Sequence, residues 1–274
     1  MLKTRIITAI CLIAVFIPAL FYLANQAWAI LVGLVALFAL NEWAEMIGVK
    51  SPVKWLYLLL GLFVGAYFFK DIFLNQYNNG IGLTRIIGFW VALFWFFVAP
   101  FFLAKKLYAQ RWLLAPLGLF LTLALWLGFV WGKIHDPHLL FVLLSTIWVA
   151  DSAAYFAGKN FGKHKLAPNI SPGKTWEGVA GAVIGVTFYS IFLQQIGYPK
   201  PTLAFASIPI FIIVALLGVI GDLFESLIKR QFHLKDSGNC IPGHGGIWDR
   251  VDGVVSSLPV TLYLMDAIAL RGWY

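Results

Sequence analysis

Residues 203–228, LAFASIPIFIIVALLGVIGDLFESLI, run directly into residues 229–253, KRQFHLKDSGNCIPGHGGIWDRVDG, and the pair decides the fold. The first stretch is almost pure hydrocarbon, with acids entering only near its end, at Asp222 and Glu225. The second packs four cationic side chains, three carboxylates, two histidines and five glycines. About 20 consecutive apolar residues are what a bilayer-crossing helix needs, so 203–228 reads as a transmembrane span that delivers a polar end to the membrane surface. Charges gathered at that boundary are costly unless they bind something. Cations beside carboxylates suit a metal–polyphosphate site, because cations grip phosphate oxygens, carboxylates hold the metal and glycines let backbone N–H groups approach.

Working outward, the whole chain has the same character. Apolar residues make up 61% of the 274 and charged residues only 12%, with a mean hydropathy of +0.85. A soluble domain would carry roughly twice that charged fraction. The expected fold is all-α: a polytopic integral membrane protein of about nine transmembrane helices with no soluble domain. The spans are read at 5–24, 28–47, 55–70, 86–104, 112–132, 138–158, 178–197, 203–228 and 251–270. Connections of about twenty residues at most leave chemistry to helix ends and short loops. Residues 1–132 read as scaffold helices, and 133–274 as a catalytic region with cytoplasmic loops at 158–178 and 229–250.

Fifteen of the twenty Lys and Arg residues fall on one side of this topology, including Lys3, Lys50, Lys105, Lys159, Lys174, Lys229 and Arg250. Lys70, Arg85, Lys133, Lys200 and Arg271 fall on the other. Positive charge marks the cytoplasmic side, so the expectation is a multi-pass protein of the inner membrane with a cytoplasmic N-terminus and an active site facing the cytoplasm. The first apolar run exceeds a secretory h-region and apolar sequence resumes at once, which favours an uncleaved first span. Cys11 and Cys240 suggest neither a disulfide nor a zinc site.

Before residue 133, polar groups are sparse. Trp28, Trp43, Trp55, Trp112 and Trp131 lie near span ends and read as interfacial anchors. Asn41, Glu42 and Glu45 read as a snorkelling helix terminus. After residue 145, polar groups cluster. Asp151 and Tyr155 share a helix face in the sixth span, where a carboxylate faces protein or water rather than lipid. Residues 158–178 hold four lysines and the run Ser171-Pro172-Gly173-Lys174-Thr175, followed by Glu177. The P-loop spacing is not met, yet a Gly-Lys-Thr segment opening a helix offers N–H groups, a positive helix end and a lysine to an anion.

Asp222, Glu225, Ser226 and Lys229 fall at i, i+3, i+4 and i+7 and line one helix stripe. Asp249 and Asp252 fall on one face where the ninth span begins. Asp222, Asp249 and Asp252 are therefore the candidate ligands for Mg²⁺, a hard ion that prefers oxygen. Zinc is disfavoured because His233 and His244 lack partners at usable spacing. The competing reading is a salt-bridged helix–loop–helix, but buried ion pairs rarely stabilise enough to explain such density.

The run Ser226-Leu-Ile-Lys229-Arg230, then Lys235-Asp236-Ser-Gly, then Pro242-Gly-His244-Gly-Gly-Ile-Trp-Asp249-Arg250-Val-Asp252 resembles the signature of the phosphatidate cytidylyltransferases. Asp151-Ser-Ala-Ala-Tyr155 and Ser171-Pro-Gly-Lys174-Thr175-Trp-Glu177 are similar to that family's upstream motifs. The resemblance is strong over 145–255. It implies that CTP and phosphatidic acid give CDP-diacylglycerol and pyrophosphate, with Mg²⁺ and a possible second cation required. Asp222, Asp249, Lys229 and Arg230 would then be catalytic. Ser171, Lys174, Thr175, Glu177, Ser226, Lys235, Asp236, His244, Arg250 and Asp151 would bind substrate. The expected partners are CTP, phosphatidic acid and the bilayer, with no nucleic acid and a homodimer as the candidate assembly. The rival readings are a CTP-dependent kinase of polyprenols or other lipid alcohols and an ion- or proton-coupled transporter. A transporter would show repeats and interrupted helices in matching halves, and none are read here.

Overall fold

The computed structural model describes residues 2–74, 80–198, 204–240 and 245–267. It is an all-α bundle. In chain order the helices are α1 (Leu2–Tyr22), α2 (Asn25–Met46), α3 (Val53–Leu74), α4, α5 (Arg111–His135), α6 (Pro137–Phe161), α7 (Trp176–Gln195), α8 (Ala204–Gln231) and α9 (Trp248–Ala267). Helix α4 runs from Gly80–Leu93 through one π-helical turn, Phe94–Val98, into Ala99–Lys105. Length and composition let seven of the helices, α2 to α8, cross a membrane. The expected count of nine spans is not confirmed. In α1 only Ile10–Tyr22 reads as a described apolar segment, and α9 carries Asp249, Arg250, Asp252 and Asp266.

Between α6 and α7 the chain forms a two-stranded antiparallel hairpin rather than an irregular loop, with β1 (Lys165–Ala167) and β2 (Ser171–Thr175) pairing Lys165 with Thr175 and Ala167 with Ser171. Pro172 biases Ser171 toward extended backbone. Thr175 then ends the strand and caps α7, its hydroxyl accepting a hydrogen bond from Gly178 N at 3.1 Å. The Gly-Lys-Thr segment is thus strand up to the cap, and the helix opens only at Trp176.

One apolar core draws on both halves of the chain, from Trp28, Trp43 and Leu121 to Leu139, Phe211 and Val255. Two tryptophans expected at the headgroup level are instead sealed inside it. Trp28 donates to Phe129 O at 3.0 Å and Trp43 to Leu114 O at 2.9 Å, tying α2 to α5. Satisfying an indole N–H is what makes burying so large a ring favourable. Trp55 and Trp112 stay exposed, as interfacial anchors would. Lys133, assigned to a loop by the charge pattern, is buried too. Its ammonium caps the end of α1 by donating to Ala19 O and Leu23 O at 3.2 and 2.6 Å.

Candidate active site at the crossing of α8 and α9

Helices α8 and α9 pack closely, as do α6 and α7. At the α8–α9 crossing the facing residues are Gly218 and Gly221 on one helix and Gly253 and Ser256 on the other. Ser256 Oγ donates to Leu217 O at 2.8 Å, clasping the two backbones. A Cβ on Gly221 would run into Asp252 O and Ser256 Oγ. Only glycine permits this approach, and the approach brings carboxylates from two helices together. Asp222 and Glu225, one turn apart on α8, meet Asp252 of α9, each offering an oxygen within 4.8 Å of the others.

Three carboxylates so close repel one another unless cations intervene. Two lysines do so. Lys174, carried in by β2, places Nζ 2.6 Å from Asp222 Oδ2. Lys229, buried one turn beyond Glu225, places Nζ 2.8 Å from Glu225 Oε2 and 2.6 Å from Asp249 Oδ1. Ser226 Oγ donates to Asp222 Oδ1 at 3.3 Å, and Gly253 N donates to Asp252 Oδ1 at 2.8 Å. Two ammonium groups against four carboxylates leave a net negative pocket. Within it Glu225 Oε1 is buried without a hydrogen-bond partner. Leaving a buried carboxylate oxygen bare is expensive, and a divalent cation would satisfy it.

Asp249 does not join the trio. Its Oδ2 accepts from Ser237 N at 3.0 Å and Gly246 N at 2.9 Å, and Lys229 takes its Oδ1. The sequence expectation groups Asp249 and Asp252 with Asp222; here the oxygens of Asp249 are engaged by Ser237, Gly246 and Lys229. Asp249 reaches back from the first turn of α9 to tie the preceding loop, whereas Asp252, one turn deeper, faces α8. The sequence places Glu225 on the right stripe but does not number it among the ligands.

The remaining expected residues divide by position. Asp151, on α6, lies within electrostatic reach of Lys174 and Asp222. Thr175 ends β2 and caps α7, and Glu177 lies in the first turn of α7. Glu177 holds His164 through its backbone N at 3.2 Å and its Nδ1 at 2.6 Å. Ser171 opens β2 on the same hairpin. Arg230 binds the carbonyls of Ile170 and Leu234 at 3.4 and 3.0 Å and so links α8 to the hairpin. Lys235, Asp236 and Arg250 lie at the surface around the loop, and His244 falls outside the described residues.

One contributor comes from the far end of the chain. Glu42 of α2, only 1% exposed, accepts hydrogen bonds at Oε2 from Trp248 N at 2.8 Å and Ser237 Oγ at 3.1 Å. It is not the snorkelling helix end expected of it. Glu45, which meets Lys54 at 2.9 Å near the surface, fits that description.

The family model described as the cytidylyltransferase family matches residues 3–268. The chain belongs to the cytidylyltransferase family. It is 36% identical over 295 residues to the phosphatidate cytidylyltransferase of Haemophilus influenzae, covering 96% of this chain and 98% of the relative. It is 34% identical over 280 residues to that of Pseudomonas aeruginosa, covering 100% and 99%. The Bacillus subtilis protein of the same name is 45% identical over 127 residues, 46% of each chain. As a cytidylyltransferase-family member the chain is a nucleotidyl-transferring enzyme in a multi-pass, helical membrane setting, as the sequence motifs imply.

Proposed function

We propose that the chain makes CDP-diacylglycerol and pyrophosphate from CTP and phosphatidic acid, using Mg²⁺ held by Asp222, Glu225 and Asp252. The observation that carries this reading is the meeting of those three carboxylates with Lys174 and Lys229 where α8 crosses α9. The similarity to phosphatidate cytidylyltransferases supports phosphatidic acid and CTP as the substrates. Three oxygen donors and a bare buried carboxylate oxygen fit a hard cation, which also keeps water and substrate phosphates in its shell. When bound, Mg²⁺ offsets charge on the phosphates.

The protein's own groups do the rest. A phosphate oxygen of the lipid attacks the α-phosphorus of CTP. The bond to the β-phosphate oxygen breaks, and pyrophosphate leaves with the electron pair. The attacking phosphate monoester is largely ionised near pH 7, so no general base is required. Positioning and charge neutralisation dominate such transfers. Lys174, resting on Asp222, would turn toward the triphosphate, while Lys229, held between Glu225 and Asp249, supplies fixed positive charge beside the trio. A second cation would compete with Lys229 for Asp249. Arg230, Lys235 and Arg250 supply further positive charge, and Ser171, Asp236 and His244 remain candidate substrate contacts. A site at helix ends admits a soluble nucleotide from water and a lipid from the side. We place it on the cytoplasmic face of the inner membrane, with 133–274 as the catalytic region.

Purified protein incubated with phosphatidic acid, Mg²⁺ and one nucleoside triphosphate at a time should yield pyrophosphate and a nucleotide-linked lipid with CTP alone. Release of CDP together with a phosphorylated lipid would instead identify a kinase. Orientation is tested separately. Cys240 is exposed between α8 and α9, so in a Cys11→Ser background an impermeant maleimide should label inside-out vesicles. Labelling of right-side-out vesicles instead would reverse the topology.

A further inference from the structure

Glu42 is a carboxylate buried near the end of α2 in the N-terminal half, and its partners lie 195 and 206 residues away. Both belong to the loop and helix start that hold Asp249. The space for it exists because Gly238 and Gly246 lack side chains, and a Cβ on either would run into Glu42 Oε1. Around this carboxylate the contact is continued by tryptophans. Trp248 Nε1 donates to Ala39 O at 2.7 Å, and the Trp43 and Trp248 rings sit 4.8 Å apart. Burying a carboxylate is costly, and the donors to Oε2 come from Ser237 and the start of α9, while Oε1 lies against Gly238 and Gly246.

From Glu42 the hydrogen bonds run in sequence toward the trio. Ser237 Oγ donates to Glu42 and accepts from Asp249 N at 3.3 Å. Ser237 N donates to Asp249 Oδ2, and Asp249 Oδ1 receives Lys229, whose other partner is Glu225. We infer that Glu42 is a positioning residue for nucleotidyl transfer: it ties Ser237 to Trp248 so that Asp249 holds Lys229 against Glu225. This rests on the reaction proposed above, and it gives the N-terminal scaffold a direct part in the site. Outer partners of this kind typically cost about 10- to 100-fold in metal affinity or activity when removed.

The test uses the full chain in detergent or nanodiscs. Glu42→Ala should lower kcat by about 10- to 100-fold and raise the Mg²⁺ concentration needed for half-activation, with KM for phosphatidic acid unchanged. Glu42→Gln, whose amide oxygen can still accept from Trp248 N and Ser237 Oγ, should recover most of the loss. Hydrogen–deuterium exchange gives a readout independent of turnover: uptake over 235–250 should rise in Glu42→Ala and stay near wild type in Glu42→Gln. A purely structural role would reduce the folded fraction while leaving the Mg²⁺ dependence of what remains untouched, and that result overturns the inference. So does wild-type exchange across the loop in Glu42→Ala. If the wild type makes no nucleotide-linked lipid while the loop still responds to Glu42→Ala, the tether stands and the proposed reaction falls.

Discussion

Replacing Glu225 by Gln should lower kcat on the order of 10³-fold, the scale reached when one preorganised electrostatic group is removed from a transferring site. Glutamine matches glutamate in shape, so packing on α8 is kept. Lys229 retains Asp249 as a partner at 2.6 Å. What disappears is a charged carboxylate of the trio, whose Oε1 is buried without a hydrogen-bond partner. If that oxygen serves a cation, the variant needs far more Mg²⁺ and remains slow even at saturation. Stability should hardly fall, since removing one of several clustered acids relieves repulsion while the lysine stays paired. Activity as a function of Mg²⁺, set beside thermal unfolding in detergent, checks both halves. Near-normal turnover at wild-type Mg²⁺ would mean that the trio is not where metal binds.

How much of this was legible follows from how local each signal is. The apolar runs show themselves through composition alone, and each of the nine expected spans overlaps a described helix; the eighth, 203–228, begins one residue before the described residues of α8, and the ninth, 251–270, runs past the last described residue of α9 at 267. The stripe Asp222, Glu225, Ser226 and Lys229 was readable because its spacing lies within one helix. Asp249 and Asp252 were harder. Three residues apart on paper, they part company because α9 begins at Trp248. Asp249 sits in its first turn, where a carboxylate caps upstream amides, and Asp252 is rotated toward α8 by glycines on both helices. No local pattern gives that rotation. Trp43 and Glu42 fail for the opposite reason. A tryptophan and a glutamate near a span end usually face the headgroups, and only contacts with Leu114 and Trp248 turn them inward. The hairpin at 165–175 hid because two strands this short carry almost no periodicity, although Pro172 and the capping Thr175 bracket its second strand.

If the site depends on how closely α8 and α9 approach, two glycines one turn apart should behave in opposite ways. A methyl on Gly221 would overlap a backbone oxygen, Asp252 O, and the clasping hydroxyl of Ser256. The hydroxyl could rotate but the backbone oxygen and Ser256 Cβ cannot swing aside, so the helices must separate, and overpacking of this kind costs about 1–3 kcal/mol. Separation also draws Asp252 away from Asp222 and Glu225. Misplacement by about 1 Å can cost 10²-fold in rate, so Gly221→Ala should lose at least that much turnover along with thermal stability. On Gly218 the added methyl would meet only Gly253 Cα, at 4.0 Å, an ordinary contact. There alanine gains helix propensity, worth about 0.5–1 kcal/mol over glycine, so Gly218→Ala should unfold no earlier than wild type and keep its activity. Measuring both variants by thermal unfolding and by CDP-lipid formation separates general helix effects from the crossing itself. Equal losses at the two positions would show that the spacing of α8 and α9 does not set the geometry of the carboxylates.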